Sequence, residues 1–173
     1  MMPSYISGII IAGMFINQKL IKAQIITSIV FHLLIAAQLF FYLLPIKSDD
    51  TWVGWKELAI ETEKLQEKYN NTFVFSNDGY KTSAALNFFM DEKIYAQNIV
   101  GLNALHFDYL GDDLSTLNRK NALFIDSDTR CKNPNKKGEI PAELHGYFEN
   151  ITELEPIIVK VNGNEVRKFW VFY

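Results

Sequence analysis

The sequence predicts an α/β domain, a mixed sheet with packed helices and a C-terminal β-hairpin, preceded by one or two transmembrane helices. Three observations carry this. Residues 1–46 hold only two charges, Lys19 and Lys22, whereas residues 47–173 hold 15 basic and 20 acidic side chains. Within the first part, Ile25–Leu44 is free of formal charge for 20 residues. At about 1.5 Å per helical residue it reaches about 30 Å, the thickness of a bilayer's hydrocarbon core. In the second part, helical and strand periodicities alternate, and two strand-like runs flank Asn162-Gly163, a strong hairpin turn. The domains are therefore a membrane segment, 1–46, and an extracytoplasmic α/β domain, 47–173.

The membrane segment is read first. The spanning helix is expected over 25–44, ended by Pro45, with Phe40, Phe41 and Tyr42 where an aromatic belt sits. The rival reading is a cleaved signal peptide, whose apolar core is about 7–15 residues followed by small residues. Leu44-Pro45-Ile46-Lys47 offers no such site, so length and flank both favour the span. A shorter apolar helix is expected over 5–16. It is either an interfacial or buried helix or the end of a longer span, and Gly8 and Ala12 permit close helix approach. Gln24, Ser28 and His32 recur every fourth residue and line one face, the pattern of a helix packed on a neighbour. Lys19 and Lys22 sit in an expected turn, Asn17–Gln24. The positive-inside rule puts that turn in the cytoplasm and the domain after Pro45 outside it.

In the soluble part, Trp55, Leu58, Ala59, Thr62, Leu65 and Tyr69 share one helical face, with charged residues on the other. Asn70-Asn71 stops that helix. Thr72–Ser76 is β-branched and aromatic, a buried strand. Asn77-Asp78-Gly79 turns the chain and supplies N-caps for a helix over Tyr80–Met90. A brief strand at Ile94–Gln97 follows. A short helix runs to Asn118 with Asp112 or Asp113 as cap, and Ala122–Ile125 is a central strand. Asp126–Pro141 reads as a polar surface loop. Ile157–Val161 and Val166–Tyr173 form the hairpin.

Composition excludes several classes. The soluble part is net acidic without a basic stripe, which argues against nucleic acid as a partner. One cysteine, Cys131, excludes an intrachain disulfide framework and a cysteine-rich zinc site. An apolar content of 49% is too high for a disordered chain.

Several ordered pieces resemble a known family. They are Asp50-Thr51-Trp52-Val53-Gly54-Trp55-Lys56-Glu57-Leu58, Tyr80-Lys81-Thr82-Ser83-Ala84-Ala85-Leu86-Asn87-Phe88-Phe89, Asn103 with Phe107-Asp108-Tyr109-Leu110, Ala122-Leu123-Phe124-Ile125 and Leu154-Glu155-Pro156-Ile157. Together, over roughly 25–173, they resemble the C-terminal part of membrane glycosyltransferases of the dolichyl-phosphate-mannose–protein mannosyltransferase type, glycosyltransferase family 39. Lipid A aminoarabinose transferases are more distant relatives of that family. Leu110 replaces the family's tryptophan. The resemblance implies a lipid-linked sugar donor and an enzyme that transfers a sugar from a polyprenyl phosphate. It also implies catalytic carboxylates in an early extracytoplasmic loop. No acidic residue precedes Asp49, so no catalytic residue carries over. The expectation is the last one or two membrane helices and tail domain of a larger transferase. Its partners are then membrane lipid, the missing N-terminal transmembrane bundle and the lipid-linked sugar. No cofactor is expected in this chain, and a divalent metal is left open.

Local constellations are modest. Asp126-Ser127-Asp128 follows a strand, as a metal–diphosphate triplet does, but a solvated strand end is the preferred reading, since so short a match recurs by chance and a lipid-phosphate donor needs no nucleotide site. An EF-hand fails at Arg130. His106, Asp108 and Tyr109 are candidate acid–base groups, set against a bridging loop with satisfied hydrogen bonds. Trp52, Trp55 and Tyr80 are candidates to stack on a sugar, set against roles as core and interface anchors. Tyr80, His106, Asp108 and Tyr109 are therefore the expected substrate-binding residues, with no catalytic or metal ligand assigned. The competing function is a non-enzymatic, membrane-anchored glycan- or protein-binding module.

Overall fold

A computed structural model describes residues 10–11, 13, 17–44, 53–78, 80–128, 138 and 140–173. The chain divides into two compact units, Met1–Leu44 and Pro45–Tyr173.

In the first unit, helix α1 is Gln18–Phe41. It is long and apolar enough to cross a membrane. It begins seven residues before the expected start. Asn17 caps it, its Oδ1 accepting from Leu20 N at 2.9 Å. Lys19 and Lys22 thus lie on the helix and not in a turn. The helix also stops before Pro45. Tyr42 turns left-handed at φ 46°, and the Gln38 amide clasps both Leu44 N (2.8 Å) and Leu44 O (2.7 Å). None of its residues is buried, and most of its surface is apolar, with Gln24, Ser28 and His32 on one face. Most of the expected short helix, 5–16, lies outside the described residues.

The second unit holds α2 (Trp55–Lys68), β1 (Thr72–Ser76), α3 (Lys81–Phe89), β2 (Tyr95–Ala96), β3 (Asn121–Asp128), β4 (Ile157–Val161) and β5 (Asn164–Phe172). Four 3₁₀ turns, Gln97–Val100, Leu105–Leu110, Leu114–Leu117 and Ala142–Gly146, complete it. The sheet order is β2-β1-β3-β5-β4. β1 runs parallel to β2 and β3, and β5 runs antiparallel to β3 and β4. The α/β expectation is thus met, with a mixed sheet and the C-terminal hairpin in place.

Register explains the layers. Phe75, Phe124 and Phe172 share one row, and Ser76, Ile125 and Val171 the next. Side chains alternate, so Phe73, Phe75, Ala122, Phe124, Trp170 and Phe172 face one side. There Ile99, Val100, Leu117 and Leu144 of the 3₁₀ turns seal a core. The opposite side carries Val74, Leu123, Ile125, Phe169 and Val171, under α2 and α3. Ser83 of α3 reaches Ser76 at 2.6 Å, and Trp55 of α2 meets Phe169 at 5.9 Å. The crossover from β1 to β2 therefore runs over one face and that from β2 to β3 over the other.

One expected loop is corrected. β3 continues through Asp126 and Ser127 to Asp128, paired with Trp170, Phe169 and Lys168. The backbone ladder of β5 extends the strand past its apolar part, so residue polarity alone misplaces its end. Asp126 and Ser127 are half-buried. Gly138 lies so close to Trp170 and Phe172 that a Cβ there would sit 2.8 and 2.6 Å from them. This part of the segment packs on the sheet. Residues 129–137, with Cys131, lie outside the described residues.

Candidate functional site

In an open sheet whose crossovers run over both faces, the ligand crevice is expected beyond the carboxyl ends of β1 and β3, where the strand order reverses. Here that end is closed by its own side chains. Asp78 accepts from Thr82 N with both oxygens (3.0 Å each) and from Thr82 Oγ1 (2.6 Å), satisfying donors of the first turn of α3. Ser76 Oγ meets Ser83 Oγ at 2.6 Å, and Ser83 Oγ donates to Tyr95 O at 2.6 Å. These groups spend their hydrogen bonds on joining β1, α3 and β2.

The residues expected to bind substrate gather only in part. Tyr80 and His106 meet edge to face at 5.3 Å. Tyr80 also packs on the small cluster of Ala96, Ala104 and Phe107. Asp108 Oδ1 accepts from Ala104 N at 2.9 Å, closing the turn in which it lies. Tyr109 is 91% exposed and points away from that cluster. Asp108 and His106 are not hydrogen-bonded to one another, and none of the four lines the cleft described below. The turn is thus braced by its carboxylate, with two aromatic rings set edge to face at its start.

Asp126 lies on β3 opposite Trp170, and the side chain of Asp128 is outside the described residues. Among the described residues no three His, Cys, Asp or Glu side chains gather as a metal site. Trp55 lies against the sheet, with the Arg167 guanidinium 3.7 Å from its ring centre; Arg167 itself is fully buried. Trp55 is therefore an anchor of α2. Trp52 lies outside the described residues.

A different place offers room. At the amino end of β3 and the carboxyl end of β5 lies a cleft of about 580 Å³, within the range of small-molecule sites. Its floor is Phe75, Phe124 and Phe172, which belong to the core. Tyr147 and Phe148 form a wall. Arg119, Lys120, Glu149, Asn150 and Thr152 also line it. Asn121 Nδ2 donates to Tyr173 Oη at 2.8 Å across the cleft's end. Arg119 holds a left-handed backbone, φ 65°, which turns the chain sharply into β3. A lining of aromatic rings, amides and charges of both signs suits a polar ring with hydroxyls. Sequence pattern does not bring these residues together, because they come from four separate segments: 75, 119–124, 144–152 and 172–173. The one local signal, Arg119-Lys120-Asn121 before an apolar strand, is common at strand starts.

No family model, curated protein or solved structure matches this chain.

Proposed function

We propose that this chain serves a polyprenyl-phosphate-sugar-dependent membrane glycosyltransferase as its non-catalytic part. In this reading α1 is embedded beside the catalytic helices, on the same polypeptide or another. The α/β domain lies on the extracytoplasmic side and helps hold donor or acceptor sugar. The family resemblance given above supports the transferase class. The observation that carries the division of labour is the state of the carboxylates: Asp78 and Asp108 are engaged in backbone capping, while the open cleft presents aromatic rings, amides, cations and one carboxylate, Glu149. A lining of aromatic rings and amides suits binding of a sugar.

The test is transfer of labelled sugar from a polyprenyl phosphate in membranes with and without this chain. Transfer should depend on the chain and survive Asp108→Asn and Asp126→Asn. Activity of the purified chain alone, abolished by either substitution, overturns the proposal. A second reading, a glycan-binding module with no enzyme partner, is favoured by the same cleft. Photo-crosslinkers at Gln24 and Ser28 separate the two readings. A transferase subunit or segment captured at both positions supports the first, and lipid alone supports the second.

A further inference from the structure

A second cavity adjoins the cleft and repeats its chemistry. It measures about 510 Å³ and lies at the amino ends of β1 and β3, beside the carboxyl end of α2. Lys120 lines both cavities. The strand register makes them neighbours: Thr72 of β1 pairs with Asn121 of β3, and Asn121 N donates to Asn71 O at 3.1 Å. On β1, Phe75 belongs to the floor of the first cavity and Phe73 lines the second, their ring centres 5.8 Å apart. Tyr95 adds another ring to the second cavity, edge to face with Phe73. Gln66 Nε2 donates to Glu92 Oε2 at 2.8 Å, which fixes one side of the cavity. Asn70 and Asn71 are exposed, and neither side-chain amide is hydrogen-bonded among the described residues. Lys120, between the cavities, is also exposed and in no ion pair among the described residues.

We infer that the two cavities form one binding site for a glycan of two or more units, whose chain crosses Lys120. The inference rests on the reading that the cleft holds a sugar, and deepens it from a lone ring to an oligosaccharide. Composition supports it first. Both cavities set aromatic rings beside amides, and a ring in the first alone would leave the second, with the same groups, unused. A side-chain amide both donates and accepts, so it can take neighbouring hydroxyls of one ring. Scale agrees. Each cavity falls within the about 300–1,000 Å³ of small-molecule sites. Neighbouring strands lie about 4.8 Å apart, roughly the length of a sugar ring in a chain. The step from β3 to β1 is thus a step of one unit. Charge selects the ligand class. In the second cavity Glu92 is bonded to Gln66, and Lys93 is paired with Asp112 at 2.5 Å. Apart from the shared Lys120, the groups left to meet a ligand there are the neutral amides of Asn70 and Asn71. A neutral, hydroxyl-rich chain fits such a site, whereas a polyanion or a strongly basic peptide finds no matching charge.

The test uses the full chain, isotope-labelled, in detergent micelles. The probes are mannose, glucose and N-acetylglucosamine, each as the free sugar and as its linear trisaccharide. Backbone amide shifts report the site, Thr152 for the first cavity and Glu92 for the second. In at least one series the trisaccharide should shift both and bind about tenfold more tightly than the free sugar, the equal of one or two added hydrogen bonds. Asn70→Ala should abolish that tightening, and Lys160→Ala on β4, the sheet edge farthest from β2, should leave it unchanged. Asn70 is exposed and lies outside the left-handed region, so its variant keeps the fold, which unchanged amide shifts in β4 verify. Shifts confined to Thr152 for every trisaccharide overturn the two-cavity site and leave the sugar reading standing. Tightening that survives Asn70→Ala also overturns the two-cavity site. No shift at either residue with any probe overturns the sugar reading itself, and this inference with it.

Discussion

Gly54 is where one residue decides the docking of an element. It precedes α2 with φ 93°, a left-handed backbone that side chains disfavour, and a Cβ there would lie 2.7 Å from Val159 Cγ1 on β4. Gly54→Ala meets both obstacles. The conformational term is about 1–2 kcal/mol, and overpacking adds about 1–3 kcal/mol. Urea unfolding should show a loss of about 2–5 kcal/mol, with part regained in Gly54→Ala/Val159→Ala. No recovery would mean that backbone strain alone is responsible. Asp113 is a second case. The Ser115 hydroxyl and then the Ser115 amide donate to its carboxylate, holding its pKa below the ordinary value. A lowered folded pKa stabilises the fold in full above the ordinary aspartate value of about 3.9 and ceases to do so as pH falls through the folded value. Asp113→Asn should remove this small acid-side term, so the gap in melting temperature from the native chain should narrow as pH falls from 6 to 2.5. The sequence leaves Asp112 and Asp113 as equal candidates for this cap. The structure selects Asp113 because Asp112 is turned to Lys93.

Elements were legible where periodicity is local. Thr72–Ser76 appears with the expected bounds, and α3, Lys81–Phe89, falls inside the expected Tyr80–Met90. Misreadings arose where a distant partner sets the boundary. β3 outlasts its apolar residues because β5 supplies the ladder. Arg167 is hidden from pattern reading altogether. It stands between Val166 and Lys168 like any strand charge, yet it is fully buried against Trp55 and Phe169. The cleft is illegible for a related reason, since its lining residues are far apart in the chain. The junction of β1, α3 and β2 shows what an element boundary depends on. Ser83 Oγ is fully buried between Ser76 Oγ and Tyr95 O. Ser83→Ala leaves the Tyr95 carbonyl short of this donor, while the Ser76 hydroxyl keeps Asp78 Oδ1 at 3.3 Å; the cost should be about 1–3 kcal/mol. Hydrogen exchange should accelerate first at α3 and β2. Equal acceleration in β4 would show that the junction is not local.

At the scale of the whole α/β unit, the sheet is a wall shared by two cores. β5 contributes to both, Phe169 and Val171 to the face under α2 and α3, Trp170 and Phe172 to the face under the 3₁₀ turns. The two layers are covered very differently: one by regular helices, the other by short turns with few internal hydrogen bonds. Turns of this kind do not hold themselves together, so their order rests on the aromatic floor of Phe75, Phe124 and Phe172. That floor is also the floor of the cleft, so binding and folding draw on the same side chains. Phe169→Ala and Phe172→Ala each empty a fully packed site and should each cost about 3–5 kcal/mol. Because the wall is common, each should lower a single transition seen alike by far- and near-ultraviolet circular dichroism. Phe172→Ala should in addition weaken any ligand of the cleft, whereas Phe169→Ala, on the opposite face, should leave affinity unchanged in the folded fraction. Two separate unfolding steps in the Phe172→Ala chain would mean instead that the turn layer melts on its own. The cleft would then be a property of a locally stable layer and not of the domain.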